Sequence, residues 1–130
     1  MTRIAVIDFE TTGISPAMGD RATEVAIVMM EGGRVVDRFQ SLMNAGVRIP
    51  AFITQLTGIT NAMVAAAPPA AQVMAEAGRF VGEVPMVAHN ASFDRKFWVE
   101  ELARAGLDAS QPFACTVLLS RRLYPQAPSH

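Results

Sequence analysis

Over the first 42 residues, the hydrophobic and polar positions follow the rhythm of strands. Residues 3–10 read Arg-Ile-Ala-Val-Ile-Asp-Phe-Glu, nearly unbroken in apolar side chains, which predicts a strand covered on both faces at the centre of a sheet. Residues 22–30 and 34–42 flank Glu31-Gly32-Gly33. Paired glycines between two such runs predict a tight hairpin, because glycine accepts the positive φ that the turn needs. The N-terminal third therefore reads as a three-stranded antiparallel meander.

Beyond residue 50 the period changes to that of helices. Pro50 to Gly58 and Asn61 to Ala66 predict two short helical turns, with Gly58 as the break. Pro68-Pro69 open a longer helix, since proline suits the first turn. Val73, Ala77, Phe80 and Val81 share one face of it, and Gly82 ends it. Residues 85–89 predict a short buried strand. Asn90 or Ser92 can cap a helix running to about Ala105, closed by Gly106 and Leu107. Residues 112–115 predict a last strand, and Thr116 to Tyr124 a last helix stopped by Pro125. A meander followed by strand–helix alternation is α/β architecture with a mixed sheet.

Composition narrows the class. At 130 residues the chain is one domain's worth. Hydrophobic residues make up 51%, but 21 of them are alanine, so bulky core material is scarcer than the figure suggests. Eleven basic residues face twelve acidic ones, a net charge of −1. That balance supplies neither a broad duplex-binding surface nor a polybasic membrane patch. One cysteine, Cys115, excludes an intrachain disulfide and a paired-cysteine metal site; it reads as a buried small apolar residue. The longest apolar run, Ala62 to Ala71, is interrupted by Pro68-Pro69 and cannot span a bilayer. These features are those expected of a cytoplasmic domain with no membrane partner.

Three carboxylates carry the candidate chemistry. Asp8 and Glu10 are two apart on a predicted strand, so both leave the same face at its C-terminal end, where open α/β sheets place ligands. Like charges about 4 Å apart repel by roughly 4 kcal/mol at an effective dielectric near 20, and no basic residue follows until Arg21. A divalent cation with hard oxygen ligands, Mg²⁺ or Mn²⁺, would neutralise them. A strand end emerging into solvent explains the same pair without a ligand. Asp94 lies in the first turn of the helix after the short strand, where the helix dipole alone would favour an acid. A strand–turn–helix unit at the sheet centre would also bring it beside Asp8 and Glu10. Carboxylates converging from separated segments are how a two-metal phosphodiester hydrolase site is built.

Asp8-Phe9-Glu10-Thr11-Thr12-Gly13, then Ile53-Thr54-Gln55-Leu56-Thr57-Gly58-Ile59-Thr60, then His89-Asn90-Ala91-Ser92-Phe93-Asp94 resemble, in this order, the motifs of the DEDD superfamily of 3′→5′ exonucleases. The likeness is to its histidine-containing branch (DEDDh), and most of all to the proofreading epsilon subunit of bacterial DNA polymerase III. It runs over nearly the whole chain. The resemblance implies a ribonuclease H-like fold, with Asp8, Glu10 and Asp94 as catalytic ligands of two Mg²⁺ or Mn²⁺ ions. One ion would activate the attacking water, the other would stabilise the leaving 3′ oxygen, and nucleoside 5′-monophosphates would leave single-stranded DNA ends. Thr11 and Thr12 would grip the terminal nucleotide through backbone and hydroxyls, and Gly13 would let the chain pass close by. Leu56 and Phe93 would pack on the last base or sugar. His89 and Asn90 would be structural, His89 as a packed, hydrogen-bonded residue. A DNA polymerase subunit is the implied partner class, and RNA ends are an alternative substrate.

One departure separates the chain from that pattern. The family closes its site with a histidine and, five residues later, a fourth aspartate, whereas the only acids after Asp94 are Glu100, Glu101 and Asp108, and the only later histidine is His130. The chain thus reads as a single exonuclease domain over 1–130 that ends before the general base and its C-terminal helices. Weak metal binding and little turnover are the expectation, with self-association through an apolar face left uncovered. A binding module without catalysis is the second reading. A phosphotransferase of the haloacid dehalogenase type is the third, with Asp8 as nucleophile; it calls for a helix after the first strand and a later lysine, and Lys96 is the only lysine. Phe97, Trp98 and Leu102 read as core, and Arg121 and Arg122 as complements to a helix dipole.

Overall fold

The computed structural model describes residues 2–115, together with Gln126 and Pro128. The helix expected over Thr116–Tyr124, its stop at Pro125, the dipole role of Arg121 and Arg122, and His130 lie outside the described residues.

Five strands form one sheet in the order β3-β2-β1-β4-β5. They are β1 (Arg3–Thr11), β2 (Ala22–Glu31), β3 (Arg34–Leu42), β4 (Met86–Ala88) and β5 (Phe113–Cys115). The first three pair antiparallel, as the Gly32-Gly33 turn dictates, with positive φ at both glycines. β4 then adds parallel to β1, and β5 parallel to β4. The chain reaches β4 through α1 (Ala51–Thr57), α2 (Asn61–Ala65) and α3 (Ala70–Val81), and returns to β5 through α4 (Ala91–Arg104). This is the expected mixed sheet, with β1 at its centre. It also removes the phosphotransferase reading, because β1 is followed by a single 3-10 turn at Pro16–Met18 and a hairpin rather than a helix.

One face of the sheet holds the core. Ala5, Ile7 and Phe9 of β1 and Val25, Ile27 and Met29 of β2 pack against Val73, Met74, Ala77 and Val81 of α3 and Phe97, Trp98 and Leu102 of α4. Phe80 sits at the margin, half-buried, with its ring 5.7 Å from that of Phe39. Trp98 is fully buried, and its indole N–H donates to Gln111 Oε1 at 3.0 Å. The opposite face differs from the expectation of two equally covered sides: Ile4, Val6, Ala26 and Val28 are half-buried. Asp8 and Glu10 stand on this more open face, so a strand built mostly of core residues can still present carboxylates to ligands. No helix among the described residues is long and apolar enough to cross a membrane.

The turn into α4 is made by backbone rather than by a capping side chain. Asn90 holds φ 60° and ψ 60°, the sole non-glycine residue at positive φ among those described, and its side chain makes no cap bond. Asparagine tolerates this left-handed conformation better than most residues. The orphan N–H of Ala91 donates instead to Cys115 Sγ at 3.3 Å. Cys115 is therefore half-buried and hydrogen-bonded, not an inert core residue.

Candidate functional site

β4 pairs with β1 only at Ala5 and Val6, so the end of β1 runs on past its parallel neighbour. The Phe9 N–H there has no strand partner, and Asp94 Oδ1 accepts it at 3.1 Å across 85 residues of sequence. Asp94 is 3% exposed. Its carboxylate is thus seated against the one residue that lies between Asp8 and Glu10, while Asp8 is exposed and Glu10 half-buried.

The electrostatics follow from that packing. Burial pushes the Asp94 carboxyl up to about 6; the charges of Asp8 and Glu10 add to the rise, and the hydrogen bond from Phe9 opposes it. Asp8, although its side chain reaches solvent, is raised by partial desolvation at the strand end, and Glu10 by partial burial and then by the charges of Asp8 and Glu24. None of the ion pairs among the described residues (Arg3–Glu31, Arg21–Glu101, Arg104–Glu100) involves these three acids. Three hard oxygen donors in an uncompensated negative field suit a divalent cation. As they stand, the three acids do not form a ready-made metal site: among the described residues no three His, Cys, Asp or Glu side chains are gathered so that together they could hold an ion.

A pH dependence with an unusual sign results. A carboxyl whose folded pKa lies above its unfolded value stabilises the fold below the unfolded value, and that contribution is lost as pH rises through the folded one. For Asp94 the window runs from 3.8 to about 6, and Asp8 and Glu10 act in the same direction. The metal-free protein is expected to be more stable at about pH 5 than at about pH 7.5, and saturating Mn²⁺ to reverse that order, because metal binds the ionised carboxylates. Urea denaturation followed by Trp98 fluorescence at both pH values checks it.

Asp8 and Glu10 border a cleft of about 330 Å³ whose other walls include Gly13, Ile14, Leu56, Thr57 and Phe93, while Asp94 sits buried behind Phe9. Leu56 reaches it because of how its segment folds. Ile53 and Ile59 are buried with Ile49 and Val64 in a small second core. Thr57 Oγ1 donates to the Ile53 carbonyl and accepts from the Ile59 N–H, Gly58 takes φ 78°, and Thr60 Oγ1 caps α2 by accepting from Met63 N–H. With Ile53 and Ile59 turned into this core, Leu56 is left 80% exposed at the cleft. Phe93 lies opposite, its ring 5.1 Å from that of buried Phe97.

Thr11 lines the cleft, whereas Thr12 does not, and the hydroxyls of both are engaged within the loop. Thr11 Oγ1 donates to the Gly13 carbonyl at 2.6 Å. Thr12 turns away from the cleft: its hydroxyl donates to Asp20 Oδ1 at 3.2 Å and accepts from Arg21 N–H at 3.0 Å, and its N–H donates to the Arg21 carbonyl. Both are buried, so their hydroxyls shape the loop rather than stand free as donors to a nucleotide. Gly13 is required by space, since a Cβ there would overlap the Asp20 carboxylate, which is itself held by Ser15 N–H and Thr12. Gly13→Ala is therefore expected to cost about 1–3 kcal/mol by breaking that lock, read as a lower urea midpoint at unchanged slope. His89 is exposed rather than packed, standing with Asn90 in the turn between β4 and α4.

Two features escaped the sequence reading. Ile14, 78% exposed beside Gly13, lines the cleft; its place directly after the Thr11-Thr12-Gly13 motif was the available signal. Glu101, 2% exposed, accepts from Arg21 Nε at 2.9 Å and Nη2 at 2.8 Å and from Ala22 N–H at 3.0 Å. Nothing local marks it.

The sequence profile of an exonuclease family, RNase_T, matches residues 5–130. The chain belongs to the RNase_T exonuclease family. Among its relatives, the 3′-5′ exonuclease DinG of Bacillus subtilis is 42% identical over 124 residues, covering 95% of this chain and 13% of that protein. The PolC-type DNA polymerase III of Bacillus cereus is 40% identical over 126 residues, covering 96% and 9%. This RNase_T domain thus corresponds to a small part of much longer proteins. Among solved structures, exonuclease X in complex with 5′-overhanging duplex DNA superposes with a TM-score of 0.77 at 29% identity, over 98% of this chain and 68% of that one. Product-bound exonuclease I gives 0.85 at 19% identity, over 98% and 33%, and supports the fold alone. The mixed sheet with its helices is the ribonuclease H-like exonuclease fold that the motifs implied.

Proposed function

We propose that this exonuclease domain removes nucleoside 5′-monophosphates from the 3′ ends of single-stranded DNA, with Asp8, Glu10 and Asp94 holding Mg²⁺ or Mn²⁺. The observation that carries the reading is the seat of Asp94: a buried carboxylate bonded to Phe9 N–H, beside two further acids with no ion-pair partner among the described residues. When bound, the divalent ions would supply an activated water and charge stabilisation on the leaving oxygen. The chain's own part is to hold and orient. Asp94, with one oxygen fixed by Phe9, would have its other oxygen to offer as a ligand, and Asp8 and Glu10 would complete the anionic edge. Leu56, Phe93 and Ile14 offer apolar surface to the terminal base without reading its identity. The DNA-bound state of exonuclease X and the name of DinG support DNA and the 3′-to-5′ direction for this chain.

Matched DNA and RNA oligonucleotides labelled at the 5′ end, incubated with Mn²⁺ or with EDTA, test the proposal. It expects a ladder shortening from the 3′ end on DNA, in Mn²⁺ only. Binding of the oligonucleotide without any shortening would leave a nucleic-acid-binding module in its place.

A further inference from the structure

Asp94 and Glu101 are seven residues apart on α4, two turns and about 10 Å along one helix face. Each is buried, and each is bonded to the β1–β2 unit at a different point: Asp94 to the Phe9 amide near the end of β1, Glu101 to Arg21 and Ala22 at the start of β2. Arg21 is held from every side. Its guanidinium makes a two-pronged pair with Glu101 and also donates to the Ala45 carbonyl at 3.3 Å, while its backbone closes the Thr12–Asp20 loop through Thr12. That loop begins where Glu10, Thr11 and Gly13 edge the cleft.

We propose that the Arg21–Glu101 pair is a positioning clamp that fixes where Asp94 stands relative to Asp8 and Glu10 and, through Thr12, where the Gly13 edge of the cleft lies. The clamp's effect on metal rests on the cation-site reading above; its effect on Asp94 does not. The other hydrogen bonds of α4 run from Ala91 to Cys115 and from Trp98 to Gln111. Toward the β1–β2 unit the Asp94 end is therefore seated by the Phe9 bond and apolar packing, and can roll by fractions of an ångström. A bidentate pair two turns away, planar and directional, removes that freedom. Displacements of about 1 Å remote from the chemistry can cost on the order of 100-fold in rate, and loss of outer partners of ligating groups about 10–100-fold in metal affinity. Such a pair would also glue the fold, so the experiment has to separate position from stability.

Three variants do so: Glu101→Gln, which keeps one acceptor; Arg21→Lys, which keeps the charge but not the fork; and Arg21→Met/Glu101→Leu, which replaces the buried pair by apolar volume. Two readouts are compared with the wild-type chain. Hydrogen exchange in the metal-free protein follows the Phe9 amide, which reports the Asp94 seat, against the Ile27 amide in the middle of β2, which follows global opening. Mn²⁺ titration by electron paramagnetic resonance gives affinity. The clamp predicts that in every variant that folds, Phe9 protection falls at least about tenfold more than Ile27 protection, and Mn²⁺ binding weakens by about 10–100-fold. Arg21→Lys, the mildest change, should lie nearest wild type and serves if the others do not fold. Phe9 and Ile27 protection falling in step, with Mn²⁺ affinity unchanged, would reduce the pair to a stabilising contact. If the wild-type chain binds no Mn²⁺, the cation-site reading fails, and the Phe9–Ile27 comparison alone decides the clamp.

Discussion

Asp94→Asn leaves a chain that folds but no longer responds to Mn²⁺. An amide at this position can still accept the Phe9 N–H through Oδ1, so the link between α4 and β1 survives. What disappears is a negative charge that the apo fold tolerates poorly, its carboxyl being pushed up to about 6 by burial and by the neighbouring acids. At about pH 7.5 the metal-free variant should exceed wild type in stability by on the order of 1 kcal/mol after solvent screening is allowed for, a rise of a few degrees in Tm. Wild type at about 100 times its Mn²⁺ dissociation constant should gain about 2.7 kcal/mol over its own metal-free form, and the variant close to none. Differential scanning fluorimetry with Mn²⁺ and with EDTA reads both numbers. A large loss of stability in the metal-free variant would make Asp94 a structural acid of the helix start.

Phe97→Ala should be the most damaging single truncation in the core near the site, costing about 3–5 kcal/mol. Phe97 is fully buried, with its ring 6.3 Å from Phe9 on β1 and 5.1 Å from Phe93 at the cleft. The substitution opens a cavity between α4 and the strand that carries Asp8 and Glu10, so metal binding should weaken together with stability. Phe93→Ala, at a half-buried position on the cleft side, should cost clearly less. Chemical denaturation of both variants against wild type checks the order; equal losses would mean that Phe97 is not the support on which α4 rests.

The elements of this fold are written in local pattern, and the pattern is legible. The glycine pair at 32–33, the breaks at Gly58 and Gly82 and the proline pair at 68–69 mark the ends of strands and helices within a residue or two of their observed limits. Strand parity alone puts Asp8 and Glu10 on one face, and the β4–α4 unit brings Asp94 to the same end of the sheet. What sequence pattern does not carry is the destination of polar side chains. The family resemblance makes Thr12 a nucleotide ligand, and nothing in it shows that Asp20 and Arg21 engage its hydroxyl. Glu101 looks like any acid on a helix, and only the fold reveals an arginine 80 residues away that neutralises it. Nor does alternation tell how much of a sheet face is covered: Ile4 and Val6 are as apolar as Ala5 and Ile7 but half-buried. His89 shows the same limit: it is exposed, beside a left-handed turn at Asn90 that no periodicity encodes.

The account stands on divalent cations bound among Asp8, Glu10 and Asp94, and anomalous scattering from a crystal of the chain soaked in Mn²⁺ tests it most directly. Two anomalous peaks about 3.5–4 Å apart, flanked by the carboxylates of all three residues and absent from Asp94→Asn crystals, are the expected result. Mn²⁺ density elsewhere on the molecule, with these three acids bare at saturating metal, would contradict it.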